Sequence, residues 1–268
     1  MNQPELHFYD MGLGVTAFSS TRHGGCSTGS YAEFNINRYC GDDDEHIARN
    51  REALCLQLGI GDDRLIMPHQ VHQTVVTCID EDFMALSAEA RQQQLEGVDA
   101  LCTSLTGVCI GVSTADCIPI LLYDSEHRAV AAVHAGWRGT VGRIAQKAVE
   151  TMVRQYASRP EALTAVIGPG ISLESFEVGQ EVYDAFAAAG FSMEPISRRF
   201  PVAGNGDQEK WHIDLPRCNR EQLQESGVSE RNILATGICT FRQHADFFSA
   251  RRLTIHSGRI FTGIILRK

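Results

Sequence analysis

The sequence lacks several features that would place it in a large class of proteins. No apolar run is long enough to span a bilayer, and residues 1–10 carry no basic-then-apolar leader, which predicts a soluble cytoplasmic protein. The formal net charge of −9 argues against a nucleic-acid surface, which needs clustered Lys and Arg. There is no repeat, low-complexity segment or evident linker. We therefore expect one domain covering residues 1–268.

The cysteines and histidines also lack the spacings that are typical of disulfide-rich proteins and of several classes of metalloprotein. The nine cysteines are scattered, without the close spacings of a disulfide scaffold or a four-cysteine zinc module. Most are expected to be buried thiols, Cys55 and Cys109 especially. None of the ten histidines forms a His-x-His pair, whereas a multicopper oxidase needs several histidine-rich clusters. This shortage disfavours oxidation of phenols by copper.

The apolar pattern predicts a mixture of strands and helices. The expected strands are residues 71–79, 107–113, 118–123, 129–134, 163–167, 233–240 and 259–266. The expected helices are residues 43–58, 141–156, 179–189 and 214–226. Residues 204–208 are polar and are predicted to form a surface loop. Strict βαβ alternation is absent, so we expect an α/β fold with mixed, layered sheets rather than a doubly wound parallel sheet.

Three potential metal ligands lie at the ends of apolar runs. Cys117 ends Thr114-Ala115-Asp116-Cys117, and His134 begins His134-Ala135-Gly136-Trp137-Arg138-Gly139 after a buried run. His72 ends Gln70-Val71-His72. Thiolate and imidazole both suit zinc, and a catalytic zinc usually takes three protein ligands and leaves a fourth position open. The sequence therefore predicts an open zinc site formed by His72, Cys117 and His134.

The motifs around these ligands resemble those of the laccase-domain or YfiH-like family. Its members were once described as multicopper polyphenol oxidoreductases and are now regarded as purine nucleoside phosphorylases. Further matching segments are Ser19-Ser20-Thr21-Arg22-His23-Gly24-Gly25, Phe34-Asn35-Ile36, Gly41-Asp42, Gly168-Pro169, Phe176-Glu177-Val178-Gly179, Cys239-Thr240 and Phe248-Ser249. The resemblance covers nearly the whole chain and implies the same three zinc ligands and a layered fold. Gln73 and Ala250 depart from the family's pattern.

The family resemblance also implies an activity. Adenosine, and also inosine, guanosine and methylthioadenosine, would be cleaved by phosphate to the base and ribose 1-phosphate, with adenosine deamination as a companion reaction. Arg22, Arg138 and the helix start after Gly139 are candidate phosphate donors. Asn35 is a candidate for hydrogen bonding to ribose or base, on its family position. Purine nucleosides and phosphate are therefore the expected partners.

Alternatives remain open for two residues near the predicted ligands and for the function of the protein. Asp116 either orients a ligating imidazole or is an ordinary turn aspartate. His69 is a fourth ligand, a substrate contact or an exposed edge histidine, and a fourth ligand would favour a closed structural site. Cys117 would serve a cysteine hydrolase or amidase as nucleophile, with His72 or His134 as base. A copper-dependent polyphenol oxidase is the other alternative, since copper binds such a site in vitro.

Overall fold

The structure is a computed structural model that describes residues 3–202 and 205–268. The strands are β1 Leu6–Tyr9, β2 Val15–Ser20, β3 Leu65–Ile66, β4 Val76–Cys78, β5 Ala100–Thr103, β6 Cys109–Thr114, β7 Ile118–Asp124, β8 Ala129–Ala135, β9 Thr164–Ile167, β10 Glu177–Val178, β11 Ser197–Val202, β12 Asn205–Ile213, β13 Ile233–Ala235 and β14 Ile260–Leu266. The α-helices are α1 Asp44–Leu58, α2 Glu81–Ala85, α3 Ala88–Gln94, α4 Trp137–Val141, α5 Ile144–Tyr156, α6 Gln180–Ala188, α7 Met193–Ile196, α8 Leu215–Glu225 and α9 Ala250–Leu253. Within the described ranges, no helix has the length and apolar character needed to cross a bilayer.

The central layer is a six-stranded mixed sheet in the order β13-β9-β7-β8-β5-β4. β7 and β8 pair antiparallel at its middle, whereas β4 pairs parallel with β5 at one edge. Every residue of β7 and β8 is buried, as expected for apolar strands covered on both faces. One face packs against α5, whose buried side includes Ile144, Ala148 and Met152. Burial of each such side chain contributes roughly 1.5–3 kcal/mol.

The opposite face of this sheet packs on a second, five-stranded sheet in the order β1-β2-β14-β6-β3. Side-chain alternation in β7 divides the two interiors, because Ile120 and Leu122 face the helices while Leu121 and Tyr123 face the second sheet. A smaller sheet, β10-β12-β11, flanks the first. The structure thus confirms the expected mixed, layered α/β fold.

Most predicted strands and helices are present, but several bounds were wrong. Of the strand expected at 71–79, only β4 forms, and the strand expected at 233–240 ends with β13 at Ala235. The helix expected at 141–156 is interrupted between α4 and α5, where Arg143 has a φ of 63°. The helix start expected after Gly139 is displaced, because Gly139 lies inside the short helix α4, which begins at Trp137, and α5 begins at Ile144. The expected role of this region in phosphate binding stays a prediction.

The polar segment 204–208 was predicted to be a loop. Gly204 lies outside the described residues, but residues 205–208 belong to β12, which pairs antiparallel with β11. Pairing with the other strand of the hairpin, rather than burial of apolar side chains, stabilises a strand of this kind. A polar strand therefore has no apolar pattern from which it could be predicted.

Candidate metal centre

The three predicted ligands converge at one end of the six-stranded sheet. Cys117 directly precedes β7, and the antiparallel register pairs Ile118 with Ala135, which brings the start of β7 beside His134 near the end of β8. His72 reaches the same place from the loop before β4. The potential ligand atoms of His72, Cys117 and His134 all lie within 4.8 Å of one another. They are close enough to share one ion after small side-chain adjustments.

Asp99, which sequence reasoning missed, organises this centre. Its side chain is fully buried, and its Oδ1 accepts hydrogen bonds from His134 Nδ1 at 2.7 Å and from the backbone N–H of His72 at 2.9 Å. Its Oδ2 accepts from the backbone N–H groups of Gln73 at 2.8 Å and Val71 at 3.3 Å. These contacts leave Nε2 of His134 available as a ligand and fix the ring orientation. The sequence signal was a carboxylate inside an otherwise apolar run, 98–102.

The loop that carries His72 is held in an uncommon conformation. His72 has a φ of 63°, in the left-handed region that few residues other than glycine adopt. Gln70 anchors the loop, because its side-chain amide donates to the carbonyl of Ser113 and accepts from the N–H of Ser113. The Asp99 carboxylate binds the three following N–H groups. Backbone strain is thus balanced by hydrogen bonds that place His72 at the centre.

Gly136 is required by close packing at the ligands. A Cβ at this position would lie 2.9 Å from His72 Cδ2 and 3.0 Å from Cys117 Sγ. Any larger residue would push two ligands apart. This contact explains the glycine that follows His134-Ala135.

The ligands perturb each other's ionisation. Burial opposes ionisation of Cys117, but the charge and hydrogen bond of His134, together with His72, outweigh it and lower the thiol pKa to about 6. Burial disfavours the charged form of His134, yet Cys117 and Asp99 raise its pKa to about 9. The Asp99 pKa is lowered because the hydrogen bond and charge of His134 outweigh burial. The centre therefore favours the thiolate, the form of cysteine that binds metals.

The three ligands line a cavity of about 220 Å³. Thr114 also lines it, and its hydroxyl is buried without a hydrogen-bond partner among the described residues. Arg259 adds a guanidinium at the wall. A larger groove of about 770 Å³ follows α1 but contains none of the three ligands. We assign the site to the smaller cavity because the reactive groups lie there.

The predicted substrate-binding residues lie outside this cavity's lining. Arg22 is half-buried; its Nε donates to the carbonyl of Ala32 and its Nη1 to that of His244. Asn35 is fully buried, and its amide donates to Asp42 while its oxygen accepts from the N–H of Arg259. The structure does not bring either side chain to the ligands, and their substrate roles stay predictions.

Arg138 has a different setting. It is exposed at the start of α4, with its guanidinium 4.3 Å from the centre of the Trp137 ring. Its side chain makes no hydrogen bond within the described part of the chain. The structure therefore leaves its donors available, and its role in phosphate binding also stays a prediction.

The side chains of Asp116 and His69 contact residues other than the three predicted ligands. Asp116 accepts hydrogen bonds from Thr240 Oγ1 and from the backbone N–H of Arg251, both at 2.7 Å. It therefore joins two loops as a turn aspartate and does not orient an imidazole. His69 lines the cavity but pairs with Glu96 at 2.7 Å and stacks on Tyr39. It is not part of the three-residue ligand group.

Together, the layered fold and the His-Cys-His group at a cavity define an α/β protein with a candidate metal site. The chain belongs to the family described as multi-copper polyphenol oxidoreductase laccase, whose profile matches residues 16–267. This match confirms the resemblance inferred from the sequence motifs.

Similar proteins carry enzyme names. The chain is 48% identical over 260 residues to "Adenosine deaminase RL5" from an unknown prokaryotic organism, covering 97% of both chains. It is 45% identical over 254 residues to a purine nucleoside phosphorylase of Bacteroides thetaiotaomicron, covering 95% of this chain and 92% of the relative. The crystal structure of YlmD from Geobacillus stearothermophilus matches with a TM-score of 0.86 at 29% identity, covering 97% of this chain and 94% of that one. The prediction that this chain is an enzyme is thereby confirmed.

Proposed function

We propose that the protein is a zinc-dependent purine nucleoside phosphorylase that also deaminates adenosine. The observation that carries the proposal is the open His72, Cys117 and His134 centre at a cavity, in a chain 45% identical to a purine nucleoside phosphorylase. Adenosine is the proposed main substrate, with inosine, guanosine and methylthioadenosine as further ones. Phosphate is the proposed second substrate, and ribose 1-phosphate the product besides the base.

The donor set fits zinc. One thiolate and two imidazole nitrogens are ligands that zinc binds well, and three protein ligands leave a position open. Asp99 fixes His134 in the tautomer that presents Nε2, as outer hydrogen bonds do at many histidine metal sites. Copper would bind the same residues in vitro, because its intrinsic affinity for nitrogen and sulfur ligands exceeds that of zinc. Copper in a purified sample is therefore weak support for an oxidase.

The residues of the site divide the proposed chemistry among them. Zinc, when bound, supplies a Lewis acid that polarises a substrate oxygen or activates water. Thr114 offers an unpartnered hydroxyl to the nucleoside, and Arg259 adds positive charge at the cavity wall. We propose Arg138 as the phosphate contact, because its exposed guanidinium lies four residues after His134. Arg22 and Asn35, whose polar atoms are engaged, are proposed to support the surrounding loops.

The family name also suggests a multicopper oxidase, but the ligand residues support this function less well than a single-metal enzyme. Such an enzyme needs several copper centres, each with its own histidine-rich ligand set. In the described residues, 3–202 and 205–268, His72, Cys117 and His134 form the one group of this kind. The ligand inventory therefore favours a single-metal enzyme.

A cysteine hydrolase or amidase is a second candidate, because one observation favours it. Cys117, His134 and Asp99 form a hydrogen-bonded series of thiol, imidazole and carboxylate, which is the order of a nucleophile, a base and the group that orients the base. The second imidazole, His72, has no role in that arrangement but is explained by a metal. Metal content separates the two candidates, since a nucleophile does not require zinc.

The test combines product analysis with metal analysis. Purified protein is incubated with adenosine, with and without phosphate. We expect adenine and ribose 1-phosphate only with phosphate, and inosine in both conditions. Absence of adenine and inosine from zinc-loaded protein would refute the proposal.

A matched pair of variants identifies the role of the thiol. Cys117→Ala is expected to lose zinc and both nucleoside activities together. Cys26→Ala, which removes a partly buried thiol elsewhere, is the control and should retain all three. Full zinc occupancy with lost activity in Cys117→Ala would instead support the nucleophile reading.

A further inference from the structure

Two cysteines outside the metal centre lie in direct contact. Cys78 is the last residue of β4, and Cys102 lies in β5 beside it. Their Sγ atoms are 3.0 Å apart, and both are free thiols. The metal chemistry described above uses neither of them. Their contact therefore needs another explanation.

The backbone at this pair suits a disulfide. The parallel register of β4 and β5 places Cys78 directly opposite Cys102. Neighbouring strands are about 4.7–4.9 Å apart, and cysteines joined by a disulfide have Cα atoms about 4.4–6.8 Å apart. The bond can therefore form without a rearrangement of the sheet.

The two thiols have different environments. Cys78 is half-buried on β4, the edge strand of the six-stranded sheet, whereas Cys102 is fully buried. A hydrogen bond from Cys102 outweighs burial and lowers the Cys78 pKa to about 7, with Tyr156 and Arg154 acting in the same direction. The same hydrogen bond, burial and the charge of Cys78 raise the Cys102 pKa. Cys78 is thus the accessible, more acidic thiol, and Cys102 is the buried partner.

We propose that Cys78 and Cys102 form a redox-active dithiol that peroxides oxidise to a reversible disulfide. The Cys78 thiolate attacks one oxygen of hydrogen peroxide, which breaks the O–O bond and gives a Cys78 sulfenic acid and hydroxide. The Cys102 sulfur then attacks the Cys78 sulfur and forms the S–S bond; the sulfenic OH leaves with the Cys102 proton as water, and the hydroxide of the first step takes up the proton that Cys78 released on ionisation. In total, two thiols and one peroxide give one disulfide and two waters.

The position of the pair connects it to the metal centre through the backbone. β4 follows the loop that carries His72, and β5 begins directly after Asp99. The carbonyl of Val75 accepts the N–H groups of both Asp99 and Ala100, so these two segments already depend on the β4–β5 pairing. A disulfide would keep Cys78 and Cys102 joined in the unfolded chain and would thereby lower the entropy of the unfolded state. We therefore expect the melting temperature of the oxidised protein to rise by a few degrees.

The experiment treats the zinc-loaded protein with hydrogen peroxide and then counts free thiols after denaturation. We expect the count to fall from nine by two and to recover with dithiothreitol. Tryptic digestion without reduction should join residues 65–91, which contain Cys78 as their single cysteine, to residues 92–128. Fragmentation of the joined peptides then separates Cys102 from Cys109 and Cys117, which lie in the same peptide.

Variants distinguish this pair from general thiol oxidation. Cys78→Ser and Cys102→Ser should each abolish the joined peptide and the rise in melting temperature. If Cys102→Ser fails to fold, Cys78→Ser still tests the proposal, because Cys78 is only half-buried. Cys26→Ser, which removes another partly buried thiol, should behave like the original protein. An unchanged thiol count, or a bond from Cys78 to Cys117, would overturn the proposal.

Discussion

Replacement of Asp99 with asparagine tests how the metal centre is held together. Asparagine has nearly the same shape, but one carboxylate oxygen becomes an NH₂ group that cannot accept a hydrogen bond. Each Asp99 oxygen accepts two hydrogen bonds, one pair from His134 Nδ1 and His72 N and the other from Gln73 N and Val71 N. Whichever oxygen is replaced, two donors therefore lose their acceptor.

The expected magnitude follows from these contacts. A hydrogen bond to a charged group contributes about 1.5–3 kcal/mol, so two lost bonds lower the free energy of unfolding by about 3–6 kcal/mol. Because Asp99 is fully buried, solvent does not replace the lost contacts. Loss of the group that orients His134 should also weaken zinc binding about 10–100-fold.

The assay measures urea unfolding of metal-free protein and zinc affinity by chelator competition. Asp124→Asn is the matched control, because Asp124 is also buried and accepts from Glu126 N, His127 N and His127 Nδ1. It lies at the opposite end of β7 from Cys117, so it should lower stability without changing zinc affinity. If Asp99→Asn kept its unfolding free energy within about 1 kcal/mol and its zinc affinity within about twofold, the assigned role of Asp99 would be wrong.

Three further predictions address the cavity and its ligands. Thr114→Val removes an unpartnered hydroxyl, so we expect stability to hold or rise by about 1 kcal/mol while kcat/KM for adenosine falls about tenfold; unchanged kinetics would mean that the hydroxyl does not contact substrate. Arg138→Lys should raise the phosphate concentration needed for half-maximal cleavage more than it affects deamination, and unchanged phosphate saturation in a folded variant would mean that Arg138 does not bind phosphate. In metal-free protein, alkylation of Cys117 by iodoacetamide should become half-maximal near pH 6, because the thiolate predominates above its lowered pKa of about 6, and zinc should protect it; a midpoint near 8.5, that of a free cysteine, would contradict the ionisation described above.

The sequence by itself indicated the three candidate metal ligands and most of the layered fold. Cys117 and His134 stand at the ends of apolar runs that are strands in the structure, and the motifs around them are specific to one family. Apolar runs identify buried strands because burial on both faces requires apolar residues throughout. Thiolate and imidazole both suit zinc, so these positions predict a zinc site, although the same residue types also serve a cysteine nucleophile and its base.

Only the tertiary structure decided how the centre is supported and what surrounds it. Asp99 precedes β5, and its contact with His134 exists because β5 pairs with β8. His72 lies in a strained loop rather than in the predicted strand, because the Asp99 carboxylate binds that loop's N–H groups. The opposed thiols of Cys78 and Cys102 depend likewise on the register of β4 and β5. Such contacts join residues far apart in the chain, and local apolar periodicity carries no information about which strands become neighbours.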